Sequence, residues 1–449
     1  MYVCVVDLGS LSCRAMCLGW NAEEQNYELF GLAEVPSGGV VQGEVVNVEK
    51  AYSTLAEVLQ LLEHQVQIPI REISLVYSGV TLDCHNSWGI TGTTSIRNYS
   101  DPRDSSSRCI TEEDISRALN SAAELRLSAD FERLHEIPRC YKLDGKVVRR
   151  DILGSNGIRL EVEVHIITCL REAIENLIEI SSRGNYRPVE IVHSSIASGY
   201  ISLTGEELEQ GCLLLVMGYG STSFQYSFEG QPLVTESVGL GGYHITRDVA
   251  EIFEIPFDVA EQLKLEHGLC WSAFVVGDER VIIPGGPTSM AREITQMELC
   301  EVLNARVEEM FEIICGRLEQ CGISREYVRS IVLVGGSALL SGISELAEEV
   351  FASPARLGLP YEPLLSVNPN PVQMPNWMSP QYTVLFGLAM YWLEEEHSRQ
   401  SKNNAPGLAG LLHREGRETG DKRSQSVGNA SGRGNLWSSL IDWIKRKLA

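Results

Sequence analysis

Four things this chain lacks or has little of narrow its reading. Its twelve cysteines include no C-x-x-C pair; Cys13/Cys17 and Cys315/Cys321 are the closest spacings. That argues against zinc and against a disulfide framework. Cys4, Cys169 and Cys212 lie in apolar runs, as expected of buried, reduced thiols in a cytoplasmic protein. No apolar stretch is long enough to cross a bilayer, the longest running from Tyr382 to Leu393. The start, Met1-Tyr-Val-Cys-Val-Val-Asp7, has no basic n-region and does not read as a signal peptide. Positive charge is also short, at 37 Lys/Arg against 60 Asp/Glu with a pI near 4.9. Phosphate backbones need a basic surface, so nucleic acid is not an expected partner.

The 449 residues leave room for two or more domains with proper cores. Apolar strand-like runs alternate with longer helical patterns, which indicates an α/β fold. Val3–Val6, Ile73–Tyr77, Leu160–Thr168, Cys212–Met217 and Ser330–Val334 read as strands. Tyr52–Gln65, Thr111–Arg126, Leu170–Ser182 and Gln296–Gln320 read as helices. Asn98–Ser107 is polar and turn-rich and reads as a mobile loop. Pro354–Pro380, with seven prolines, reads as an ordered but irregular connection.

Two segments resemble each other, each a strand, a Gly/Ser turn and a second strand: Val5–Met16 and Leu215–Tyr226. Such a duplication suggests two related halves facing one cleft. The tip Gly9-Ser10-Leu11-Ser12 leaves backbone N–H groups to cradle a phosphate, with Asp7 placed to hold a cation through water. Gly218-Tyr219-Gly220-Ser221 could clasp the phosphates from the other side. A third element, Ile331–Ala338, ends a strand in Gly335-Gly336-Ser337, where paired glycines let an adenine approach the backbone. Each alone is an ordinary turn; the three in this order point to the actin/Hsp70/sugar-kinase architecture.

Within that architecture the chain resembles the bacterial cell-division family FtsA, from Tyr2 to about Trp392 and again at its end. The motifs that carry this are Leu134–Pro138 with Leu160–Cys169, Gly239–Ala250 and Ala260–Gly268. Ser195–Tyr200 and Tyr382–Gly387 fit as well. The resemblance implies an actin-like fold of two lobes built from duplicated RNase H-like domains, with an FtsA-type inserted subdomain. The first lobe would take 1–83, 166–193 and 381–396, and the insertion 84–165. The second lobe would take 194–236 and 321–380, with an outer subdomain at 237–320. It further implies ATP as ligand, Mg²⁺ beside Asp7, and Glu261 and Lys264 near the ribose and base. The implied partners are the C-terminal peptide of the tubulin-like FtsZ at Glu301, Asn304 and Arg306, further copies of the chain in an actin-like protofilament, and other division proteins at the insertion.

The chain departs from the family pattern in its phosphate loops. Val216 and Ser223 stand where acids are usual, Tyr219 replaces a glycine, and Ser12 stands where lysine is common. Phosphoryl transfer relies on metal and positioned charge, so weak or structural ATP binding with little hydrolysis is expected. A PilM-like adaptor of a pilus or secretion machine shares the fold but needs no amphipathic helix of its own. A sugar-kinase or exopolyphosphatase reading needs the missing acids.

The last fifteen residues bear on the first of these alternatives. On a helix, Leu436, Trp437, Leu440, Ile441, Trp443, Ile444 and Leu448 fall within roughly 160° of arc. Lys445 and Arg446 lie opposite and Lys447 within the apolar arc. Two Trp on one face and cations around the rest suit the headgroup boundary of a membrane. Most amphipathic helices dock on their own domain, but here 397–434 is polar and aperiodic, as a disordered tether would be. Residues 413–449 hold eight Lys/Arg and four Asp/Glu, a net +4, which leaves −27 of the chain's −23 on the residues before them. A basic tail on an acidic body favours anionic lipid of the inner membrane's cytoplasmic face. Three cations contribute on the order of 1 kcal/mol each and the half-buried apolar side chains a few kcal/mol more. One tail therefore binds reversibly, and firm attachment is expected only of assembled copies.

Overall fold

The computed structural model describes residues 2–21, 26–93, 109–124, 127–148, 152–277, 279–285, 291–360, 365–367 and 377–404. The chain begins with β1 (Tyr2–Leu8), β2 (Ser12–Asn21) and β3 (Asn26–Pro36), then a two-residue pair, β4 (Val40–Val41) and β5 (Glu44–Val45). Next come α1 (Val48–Val66) and β6 (Glu72–Tyr77). An excursion follows: β7 (Leu82–Gly92), α2 (Glu112–Ala123), β8 (Phe131–Leu143), β9 (Lys146–Val148) and β10 (Arg159–Leu170). The chain returns through α3 (Arg171–Arg183) and β11 (Arg187–His193), then crosses by α4 (Ser194–Ser202) and α5 (Gly205–Gln210).

The second half opens with β12 (Cys212–Met217), β13 (Thr222–Phe228) and β14 (Gln231–Val238), followed by α6 (Gly242–Ile252) and α7 (Phe257–His267). A small pair, β15 (Arg280–Ile283) and β16 (Arg292–Thr295), leads into the long α8 (Gln296–Gln320). The remainder is β17 (Ser330–Val334), α9 (Ile343–Phe351), β18 (Ala355–Leu357), β19 (Leu365–Val367) and α10 (Thr383–Asn404).

The duplication shows in the sheets. One has the order β11-β6-β1-β2-β3-β19 and the other β18-β17-β12-β13-β14. In each, three antiparallel strands come first and two parallel strands follow on the far side of the first strand. Parallel strands need a crossover, and helices fill that need in both halves. Strand alternation divides the core accordingly. Val3 and Val5 of β1 and Leu214 and Val216 of β12 belong to one cluster shared by the halves, together with Leu385 and Phe386 of α10. Cys4, Val6 and Leu8 face α1 on the outside of the first sheet. Leu213, Leu215 and Met217 face α8, whose Leu299, Leu303, Val307 and Phe311 repeat at helical spacing.

The excursion forms its own four-stranded antiparallel sheet, β7-β10-β8-β9, with Ala118 and Ala122 of α2 on the cluster of Leu160, Val162, Val164 and Ile166. Its near edge leans on the second half. Asn86 donates to the carbonyl of Leu233 at 3.0 Å, and His165 Nε2 lies 3.0 Å from Thr235 Oγ1. None of the twelve cysteines forms a disulfide, and most are buried.

Two expectations change. Within Pro354–Pro380, β18 pairs with β17, and β19 adds to the first sheet beside β3 with Leu365 opposite Tyr27. Pro354 and Pro360 fall outside β18, so no ladder donor is lost there. Residues 361–364 and 368–376 lie outside the described residues. Second, α10 continues to Asn404, so 397–404 are helical. Arg399 and Lys402 near its end carry the charge that a helix C-terminus favours. The loop read at Asn98–Ser107 and the terminal helix read at 435–449 lie outside the described residues. Among the described residues, no helix is long and apolar enough to cross a membrane.

Candidate functional site

The two hairpins face each other across a cleft of about 510 Å³ between the halves. They turn in the same way, Gly9 N donating to Ser12 O at 3.1 Å and Gly218 N to Ser221 O at 2.9 Å. Among the described residues, the N–H groups of Ser10, Leu11, Tyr219 and Gly220 take no backbone partner. Each tip thus keeps two backbone donors without backbone partners, the kind of group a phosphate-cradling turn uses.

The third glycine element is drawn against the second hairpin. Ser337 Oγ donates to Gly218 O at 2.8 Å. Gly335 turns with φ +95°, and a Cβ there would meet Met217 O at 2.4 Å. At Gly336, by contrast, a Cβ would meet nothing within 4 Å, so the backbone is bare toward open space. All the residues expected to line a nucleotide site border this cleft: Asp7, Gly9, Ser10, Leu11 and Ser12 on one side, and Gly218, Tyr219, Gly220, Ser221, Glu261, Lys264, Gly335, Gly336 and Ser337 on the other.

Lys264 and Glu261 do more than pair with each other. Lys264 Nζ lies 2.8 Å from Glu261 Oε2, 2.7 Å from Thr246 Oγ1 and 3.2 Å from Gly242 O. Thr246 also bonds Glu261. The network fastens α7 to the first two turns of α6. Burial lowers the Lys264 pKa from its ordinary value, with Glu261 opposing. The first N–H groups of α6 are already used, Gly242 bonding Gly218 O at 3.0 Å and Tyr243 bonding Tyr219 O at 2.8 Å. Tyr219 packs edge-on to Tyr243 with centroids 5.9 Å apart, and Lys264 Nζ sits 5.7 Å from its ring centre. Its hydroxyl is pushed up to about 12, first by burial and then by Glu261. The tyrosine thus occupies room beside the second hairpin.

Val216 and Ser223 are directly opposed across β12 and β13, and Ser223 Oγ is 2.9 Å from Ser237 Oγ. The corresponding positions on the first hairpin are Asp7 and Arg14. Burial raises the Asp7 pKa from its ordinary value, with the Arg14 guanidinium pulling it back. Asp7 is the one acid among these four places. Among the described residues, no three His, Cys, Asp or Glu side chains are grouped to hold a metal ion. Asp7 is thus the one carboxylate that these hairpin positions offer a cation.

Several cleft residues escaped the sequence reading. Arg14 borders the cleft, as do Gln381 and Ser194, whose buried hydroxyl has no partner among the described residues. Gln42, at the β4–β5 turn, bonds Gly239 O at 2.9 Å and Ser221 Oγ bonds Ser78 O at 3.1 Å, joining the halves at the cleft mouth. The one available signal was Arg14 itself, a charge inside the otherwise apolar Cys13–Leu18 run.

On α8, the three residues read as a partner surface are not brought together. Asn304 turns inward and donates to Cys270 O at 2.9 Å. Arg306 turns toward α6, bonding Asp248 through Nε and a second nitrogen at 2.9 Å, and also pairs with Glu309. Glu301 is exposed. Positions 304 and 306 stand about 200° apart around the helix, which separates them.

Comparison with known proteins agrees with this geometry. The family model described as cell division protein FtsA matches residues 213–387, and that of the SHS2 domain inserted in FtsA matches 92–168. The FtsA of Borreliella burgdorferi is 31% identical over 410 residues, covering 91% of this chain and 94% of the relative. That of Pseudomonas aeruginosa is 29% identical over 398 residues, covering 88% and 90%. Among solved structures, a PilM–PilN type IV pilus biogenesis complex matches with a TM-score of 0.60 at 16% identity, covering 87% of this chain and 98% of that one. MreB5 of Spiroplasma citri bound to ADP matches at 0.50 and 13% identity, covering 90% and 99%. Both establish an actin-like fold, and the curated relatives go further: the chain belongs to the FtsA family of cell division proteins.

Proposed function

We propose that this chain anchors filaments of the tubulin-like FtsZ to the cytoplasmic face of the inner membrane at the division site. The observation that carries the reading is the union of an FtsA-family body with the Trp-bearing, basic segment 435–449. The acidic body is repelled by anionic lipid while the tail is attracted, which favours a tethered arrangement over a docked one. Because one tail binds only by a few kcal/mol, self-association into an actin-like protofilament is the step that makes attachment firm. The insertion is the proposed contact for other division proteins.

For the FtsZ peptide, Arg306 is the residue to test. Asp248 and Glu309 hold its guanidinium at the surface between α6 and α8, where an acidic or carboxylate-bearing peptide could exchange with one of them. In a pull-down with the FtsZ C-terminal peptide, Arg306→Ala is expected to weaken capture at least about tenfold, the loss of one charge-assisted contact. Equal capture by both proteins would remove Arg306 from the partner surface.

The cleft is proposed to bind ATP, with the two hairpin tips and the 335–337 backbone as its holders. When bound, ATP supplies a polyanion that links the halves. Hydrolysis is expected to be slight, because Val216 and Ser223 provide no charge to position water or metal.

A further inference from the structure

Asp7, Arg14 and Glu34 form a row across three neighbouring strands. Arg14 is the register partner of Asp7 on β1 and of Glu34 on β3, so all three side chains leave the same face of the sheet. Arg14 Nε donates to Glu34 Oε1 at 3.0 Å, and the other oxygen of Glu34 accepts from Tyr382 hydroxyl at 3.0 Å. The guanidinium lies 5.4 Å from the Tyr382 ring centre and directs its terminal nitrogens at Gln381, whose carbonyl and side-chain oxygens are 3.5 and 3.4 Å away. Ion pair, ring and amide hold it in one place. Its side chain is 13% exposed, and it borders the cleft together with Asp7 and the Gly9 turn.

We infer that Arg14 replaces the divalent cation of the cleft, as a built-in countercharge that lets the chain bind a nucleoside triphosphate without Mg²⁺. A guanidinium has five donors in a planar fork. Here one is given to Glu34 and the contacts to Gln381 are long, which leaves N–H groups for a phosphate oxygen. A divalent ion approaching Asp7 would meet this fixed positive charge. Across the cleft it would meet Val216 and Ser223, whose hydroxyl is engaged with Ser237. The competing explanation is a purely structural ion pair between β2 and β3. It accounts for the bond to Glu34 but gives no reason for a charged side chain to border the cleft opposite Asp7.

The inference rests on the reading of the cleft as a nucleotide site, and the experiment separates the two. Binding of a fluorescent ATP analogue to the full chain is followed by anisotropy in excess EDTA and in Mg²⁺. Wild type should bind with affinities within about threefold of each other, because the countercharge is covalent. Arg14→Ala, which frees Asp7 and Glu34 to attract a cation, should bind at least about tenfold more weakly in EDTA and regain most of that in Mg²⁺. Arg14→Lys keeps the charge and should stay metal-independent, and thermal melts establish that each variant is folded. Wild-type binding that appears only with Mg²⁺ overturns the inference while leaving the nucleotide site in place. Absence of binding in both conditions overturns the two together. The wild-type comparison decides the matter even if Arg14→Ala fails to fold.

Discussion

Acid should loosen the contact between the insertion and the second half, and His165 is the reason. It is fully buried on β10 and sits between Asn86 Oδ1 at 2.8 Å and Thr235 Oγ1 at 3.0 Å. Asn86 spends its amide nitrogen on Leu233 O, so its oxygen faces Nδ1. That assigns the proton to Nδ1 and leaves Nε2 accepting from Thr235. Burial, followed by the neighbouring Arg139, lowers the pKa to about 3. The native imidazole is thus neutral while an unfolded histidine, near 6.5, takes a proton. The unfolded state binds more protons below that value, so stability falls as pH falls from about 6.5 toward 3. Between pH 7 and pH 5 the loss is about 2 kcal/mol for this one residue. His165→Gln keeps a neutral hydrogen-bonding group and should cost about 1 kcal/mol at pH 7 for an imperfect bond. It should then lose about 2 kcal/mol less than wild type on acidification, as it no longer takes up a proton. Urea unfolding at both pH values, at matched ionic strength, reads the difference. An equal drop in the two proteins would refute the argument.

Two further outcomes follow from the packing. Gly387 lies where α10 crosses α4, and a Cβ there would meet Ala197 O at 1.9 Å and Ala197 C at 2.6 Å. Alanine gains about 1 kcal/mol of helix propensity but forces two backbones apart at a cost of about 1–3 kcal/mol or more; Gly387→Ala should therefore lower Tm by a few degrees, and a rise would show propensity winning. Tyr219→Gly empties the space beside Tyr243 and Lys264, so it should tighten ATP binding by about tenfold, roughly 1.4 kcal/mol, while lowering Tm; unchanged affinity in a titration would mean the ring does not limit the cleft.

Much of the architecture could be read from local pattern. The paired hairpins announced the duplication because a strand ending in Gly and Ser, followed by a second strand, is a short-range signal. α8 was legible from its 3.6-residue repeat, and the glycines of 335–337 from their place at a strand end. What escaped depends on register between distant residues. Arg14 and Glu34 look unrelated until β2 and β3 pair, and their bonds to Tyr382 and Gln381 bridge 348 and 367 positions. β19 is a three-residue strand among prolines, too short for periodicity to show. Asn304 and Arg306 are close in sequence but bond different neighbours, Cys270 and Asp248, a divergence that appears only once α8 is packed against its surroundings. The second-lobe docking of the insertion rests on His165, Asn86 and Thr235, which no motif connects.

The anchoring claim is tested most directly by floating anionic liposomes with FtsZ polymers and this chain, either whole or ending before residue 435. FtsZ should rise with the vesicles when the whole chain is present and stay behind with the shortened one. Flotation of FtsZ with the shortened chain, or none with the whole one, would contradict the account.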